Sequence, residues 1–157
     1  MYIPEQEYQL ILNNMPILCV DLLIVHEGKC LLLKRDNEPA KGEFWFAGGR
    51  VRKLETIEQA AIRIAKEETN LDCTFKKIIS VEETIFTKNE NMRTDVHTVN
   101  ICCEISPVNI SSFKYDKYHN GYQWVSEQNS AYHPAVNHPL LLLGVDNIER
   151  LNPYIQP

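Results

Sequence analysis

Gly48-Gly49-Arg50-Val51-Arg52-Lys53-Leu54-Glu55, running on through Thr56 to Glu68, is the stretch on which the reading of this chain turns. It reads as a glycine turn that delivers the chain into a helix. Thr56 and Gln59 have the spacing of a capping box. Ile57, Ala60, Ala61, Ile64 and Ala65 recur at helical spacing and form a core face. Arg63, Glu67 and Glu68 lie on the exposed side, and Asn70 suits the left-handed residue that ends a helix. A double glycine lets backbone approach a ligand closely. Carboxylates beside such a turn, with a backbone carbonyl, are hard oxygen ligands suited to Mg²⁺ or Mn²⁺. Arg63 and Glu67 read equally well as an i,i+4 surface pair.

Outward from this stretch, Glu43 to Ala47 is a short aromatic strand entering the glycines. Ile17 to Val25 is an apolar run broken only by Asp21, which predicts a strand buried on both faces. His26 to Lys29 is a hairpin turn, and Cys30 to Lys34 the returning strand. Asp36 to Gly42 is a loop, and Pro4 to Asn13 a short N-terminal helix. Phe75 to Phe86 and Thr94 to Ile105 are long β-rich segments. Pro107 to Tyr118 is irregular, Tyr122 to Val125 is a last strand, and Glu127 onward is helical in part, with Leu140 to Leu143 packing inward. His119 falls in the polar loop before that last strand. His97 reads as a strand residue, and His133 and His138 as loop residues. Strands and helices alternating around one core predict an α/β (α+β) sandwich with a mixed sheet, with residues 1–157 as a single domain.

The net charge of −5 gives no electrostatic reason to expect nucleic acid or a membrane surface as partner. A phosphorylated small molecule would need a local basic cluster. The N-terminal residues lack the pattern of a secretory signal, and the longest aliphatic run, Leu140 to Leu143, is too short to span a bilayer. Five cysteines without CxxC spacing, four of them in apolar runs, point to reduced thiols and a cytoplasmic setting.

The spacing itself carries a resemblance. Gly49, five residues, Glu55, seven residues, Arg63, then Glu67, Glu68 and Asn70-Leu71 is similar to the Nudix signature. The resemblance implies a Nudix-type α/β/α sandwich, an Mg²⁺-dependent hydrolase and a substrate in which a nucleoside diphosphate is linked to another group. Ile64 stands where that family has a glutamate, and Asn70 where it has a glycine. The chain further resembles the GDP-mannose mannosyl hydrolase branch along nearly its whole length. The matching segments are Met15-Pro16, Asp21-Leu22-Leu23, Leu32 to Arg35, Pro39 to Phe46, Gly48 to Val51 and His119 to Trp124.

That branch implies hydrolysis of a GDP-sugar, of the GDP-mannose or GDP-glucose type, by water attack at the anomeric carbon. The resemblance puts the general base at His119, a residue type whose imidazole exchanges protons near neutral pH. It puts charge stabilisation at the sugar on Asp21, an acid in an apolar strand that must face a site or a cation. Arg35, Arg50 and Arg63 are the matched positions for diphosphate oxygens, Arg35 also being counted with the catalytic groups. The metal is expected on the Gly48 carbonyl and Glu68, with Glu67 nearby. Tyr118 stands where the branch commonly has a glutamine that contacts the metal. A homodimer with the N-terminal helix at its interface is also implied. Two alternatives stay open: a diphosphatase acting at phosphorus on a nucleotide sugar or nucleoside triphosphate, and a nucleotide-binding module without turnover.

Overall fold

The structure is a computed structural model and describes residues 3–143. In chain order the elements are α1 (Glu5–Asn14), β1 (Ile17–His26), β2 (Lys29–Arg35), β3 (Phe44–Trp45), β4 (Ala47–Arg50), α2 (Ile57–Thr69), β5 (Cys73–Phe86), β6 (Val96–Pro107), a short 3-10 turn at Ile110–Ser112, β7 (His119–Val125) and α3 (Pro134–Leu142). The seven strands form a mixed sheet. β1 lies parallel to β6, so that Asp21 pairs with Cys102, and antiparallel to β4, so that Asp21 also pairs with Gly48. β2 pairs with β3 and with β7, and β5 pairs with β6.

Strand alternation divides the core in two. Val20, Leu22 and Ile24 of β1 pack with Leu31, Leu33 and the Ala60, Ala61, Ile64 and Ala65 face of α2. Leu23 points the other way, toward Cys30, Leu32, Trp45, Phe46 and the α3 residues Ala135, Val136 and Leu140. The result is the α/β/α sandwich expected. The start of α2 follows its local code: Thr56 accepts from the Gln59 amide, and Gln59 returns a bond to the Thr56 amide. Asn70 closes the helix at φ 55°.

Four expectations are corrected. The double glycine is strand rather than turn: Gly48 and Gly49 pair with Asp21 and Val20, and the turn follows at Val51 to Glu55. A β-carbon at Gly48 would clash with Asp21 Oδ1 and stand 2.9 Å from the Val20 carbonyl, so glycine is required there by a close approach of strands. His119 is not in a loop but opens β7, and it is buried. His133 caps α3 and His138 lies within it. The inward packing of the last leucines holds for Leu140, Leu142 and Leu143, whereas Leu141 is exposed. The sequence-derived domain also takes in residues 1–2 and 144–157, which lie outside the described residues.

Candidate active site

The cleft forms where β4 meets β1 and where the C-terminal end of α2 reaches the backbone of both β4 and the segment before β7. Glu68, in the last turn of α2, is the pivot. Its Oε2 accepts from the Gly48 amide at 3.0 Å, and its own carbonyl accepts from the Asp116 amide at 3.0 Å. Burial pushes the Glu68 carboxyl up to about 8; the Gly48 amide opposes this, and the nearby Asp116 and Asp21 charges add to it.

Asp21 is 4% exposed. It accepts from Asn100 Nδ2 at 3.0 Å and from the Trp45 indole. Burial raises its carboxyl to about 6, while these bonds and the Arg35 charge pull it back. Arg35 ends β2 in the same cleft. Its Nε donates to the Pro39 carbonyl at 2.7 Å, which aims the guanidinium and leaves its terminal nitrogens free of bonds to the described residues. Burial lowers its proton affinity, and Glu68 and Asp21 hold it up. A cavity lined by Asp21, Arg35, Trp45, Gly48, Arg50 and Asn100 opens here. Arg50 also borders a second cavity that reaches Glu68, and its guanidinium stacks on the Tyr8 ring of α1, 4.4 Å from the centroid.

His119 pairs with Arg35 across β2 and β7, at the point where the register shifts between Lys34 and Arg35, and lines neither of the two cavities. Its Nδ1 lies 2.7 Å from Asp116 Oδ1. A carboxylate can only accept, so the neutral ring carries its proton on Nδ1 and keeps the Nε2 lone pair free. Nε2 has no hydrogen-bond partner among the described residues.

Two residues named with this site are tied up elsewhere. Arg63 donates to both Glu55 oxygens at 2.6 and 2.8 Å, to Glu67 at 3.0 Å and to the Arg50 carbonyl at 3.0 Å. That guanidinium clamps the loop after β4 to α2 and has little left for a diphosphate. Glu67, half-exposed, accepts from Arg52 with one oxygen and from Arg63 with the other, and borders the same cavity as Glu68. Ile64 is 2% exposed and its side chain reaches 3.6 Å from where a Gly49 β-carbon would stand. Three partners were not predicted from sequence. These are Asp116, Asn100 and the Trp45 indole. For Asp116 a signal exists, since an aspartate in a turn-rich segment takes a bond from the backbone amide two residues on, here Tyr118, which sets the following His119 beside it. Asn100 and Trp45 give none.

Among the described residues no group of three or more His, Cys, Asp or Glu side chains forms a ready metal cage. The donors nonetheless fit a hard divalent cation. Glu68 is a buried carboxyl with other acids near it, and such a cation binds through one or two carboxylates together with waters and substrate phosphates.

The family model of the NUDIX domain matches residues 15–139. The chain is 44% identical over 81 residues to the low-salt glycan biosynthesis protein Agl8 of Haloferax volcanii, covering 52% of each. It is 42% identical over 76 residues to an ADP-ribose pyrophosphatase of Methanocaldococcus jannaschii, covering 48% of this chain and 44% of that one. The matches thus span about half the length of these curated relatives. Among solved structures, a MutT NUDIX hydrolase from Burkholderia pseudomallei superposes with a TM-score of 0.67 at 21% identity, over 83% of this chain and 99% of that one. A MutT protein from Methanosarcina mazei Go1 gives 0.67 at 23%, over 82% and 93%. The match to the domain model over most of the chain means that this chain belongs to the Nudix family.

Proposed function

We propose that the protein hydrolyses a nucleoside diphosphate sugar of the GDP-mannose or GDP-glucose type, releasing the nucleoside diphosphate and free sugar. The observation that carries this reading is the His119–Asp116 pair at 2.7 Å, tied by the Asp116 amide to Glu68 of a helix that carries Ile64 where the family motif has a carboxylate. Water forms a bond to the anomeric carbon as the bond from that carbon to the diphosphate oxygen breaks, with inversion. The water's proton passes to His119 Nε2. Asp21 faces the positive charge that builds on the sugar, and Arg35 and Arg50 hold the departing diphosphate. Glu68 and the Gly48 carbonyl would hold a divalent cation, Mg²⁺ or Mn²⁺, whose charge would stabilise the leaving group. Arg63 and Glu67 keep this loop and helix in register.

A second reading, attack at phosphorus, is favoured by the likeness to the ADP-ribose pyrophosphatase. Product identification by ³¹P NMR in ¹⁸O-water separates the two. Nucleoside diphosphate and labelled free sugar support the first reading; a sugar phosphate and nucleoside monophosphate sink it. A third, a binding module without turnover, requires that neither set of products forms. His119→Gln is expected to lower kcat by roughly 10² to 10⁴; a loss under about threefold removes His119 from the role of base. The reading also takes residues 1–157 as one domain, a cytoplasmic setting and a homodimer with α1 at the interface. No residue of α1 is buried, and Leu10 and Met15 beside it are exposed. Light scattering on the purified protein checks the dimer.

A further inference from the structure

Asp21 is held from two sides, and the two holds differ in kind. Asn100 donates to its Oδ2 from β6, where strand register fixes the amide. The Trp45 indole donates from β3, a strand of only two residues. On so short a strand the side-chain torsions aim the indole N–H, and they are set by what packs on the ring. Trp45 is buried, and two rings lie on it. His133 stands 5.0 Å away between ring centroids at 38°, and Phe86 stands 5.7 Å away at 54°. His133 and Phe86 are themselves 6.1 Å apart, so rings from β3, the end of β5 and the start of α3 close into one cluster. His133 is also anchored. It caps α3, its Nδ1 accepting from the Ala135 amide at 3.1 Å. A backbone N–H only donates, so the neutral ring carries its proton on Nε2 and cannot turn without losing the cap. A cap needs only an acceptor, which a serine or asparagine supplies. The imidazole adds a ring, and that ring lies on Trp45. Trp45 and Phe86 line the cavity with Asp21, while His133 stands behind them.

We propose that His133 is a positioning residue for this cleft, its capped ring holding Trp45 so that the indole N–H stays on Asp21. The inference rests on the reading that gives Asp21 a part in the reaction. It brings α3 into the chemistry although no residue of that helix lines either cavity.

Two substitutions separate the cap from the ring. His133→Asn keeps an acceptor for the Ala135 amide and removes the ring. His133→Phe keeps a ring and removes the acceptor. With both shown folded by circular dichroism, His133→Asn is expected to lose at least about tenfold in kcat with KM within about threefold of wild type. His133→Phe should keep kcat within about threefold. A residue that served only as a cap would give the opposite order. Trp45→Phe, which lacks the indole N–H, should lose kcat comparably, and adding His133→Asn to it should cost less than about threefold more. Hydrogen exchange of the Trp45 indole N–H, followed by ¹⁵N NMR, reads the contact without turnover. The signal is assigned with Trp45→Phe, and Trp124, which lies against His26, is the internal reference. Exchange should be at least about tenfold faster in His133→Asn than in wild type, and near wild type in His133→Phe. The inference is overturned if His133→Asn leaves that exchange unchanged, if it speeds exchange but keeps kcat within about threefold, if His133→Phe loses as much kcat as His133→Asn, or if the His133 and Trp45 losses multiply. A wild type that yields sugar phosphate, or no product, defeats the proposed reaction. The exchange rates then still decide whether His133 holds the indole, so the two failures are told apart.

Discussion

Asp116 accepts from the Tyr118 amide at 2.9 Å and from His119 Nδ1 at 2.7 Å through the same oxygen. One aspartate thus shapes the turn and selects the tautomer of the ring that follows it. Asp116→Asn, with its amide oxygen in that place, can keep both bonds but removes the negative charge that stabilises the ring once it takes up a proton. We expect kcat to fall by at least roughly tenfold, with KM within about threefold of wild type. Steady-state kinetics beside a circular dichroism spectrum check this; a loss confined to KM would show that Asp116 acts on binding instead. His119 itself was accessible to sequence reading because a motif surrounds it. Its partner was not singled out, since the pattern becomes informative only once the turn is known to form. Asn100 is further removed: it meets Asp21 across 79 positions of sequence, and only strand register brings them together.

The loop from Val51 to Glu55 and helix α2 behave as one element because Arg63 ties them. Four of its hydrogen bonds, two of them to the little-exposed carboxylate of Glu55, join the loop, the helix and the Arg50 backbone. A lysine cannot reproduce this fork, since its ammonium is a single point. Arg63→Lys is expected to cost about 1–3 kcal/mol of stability, read from urea unfolding. Nucleoside diphosphate binding should weaken only as far as the loop loosens. If binding falls by more than about tenfold while stability is unchanged, Arg63 touches the diphosphate and the clamp account is wrong. The same element explains why the glycines were misread as a turn. Gly-Gly carries no strand propensity of its own. It becomes strand because β1 pairs with it and because Asp21 leaves no room for a side chain at Gly48.

At the scale of the whole molecule, the cleft sets how stability depends on pH. Glu68 and Asp21 titrate in the fold near 8 and 6, above the ordinary carboxylate range near 4, so the native state holds more protons than the unfolded chain between those values. Their contribution is therefore fully present only at the acid end of this window. It is lost as pH rises, up to about 6 for Asp21 and about 8 for Glu68. In the presence of chelator, wild type should melt progressively lower from pH 5 toward pH 8. Glu68→Gln should show a shallower decline and melt at least about 2 °C higher at pH 8. Differential scanning fluorimetry at several pH values reads this directly, and parallel slopes for the two proteins would refute it. Mg²⁺ should raise the wild-type melting temperature at pH 8 but not that of Glu68→Gln. The sequence by itself determined the alternation of strands and helices, the capped and core-facing α2, the family motif and its gap at Ile64. These are written in spacings of a few residues, where local geometry and periodicity act. The tertiary structure alone decided that Glu68 is buried against the Gly48 amide, that Arg63 clamps the loop to the helix, what orients His119 and what holds Asp21. Those outcomes depend on strand register and burial, which bring distant residues within hydrogen-bond reach and set the cost of each buried charge.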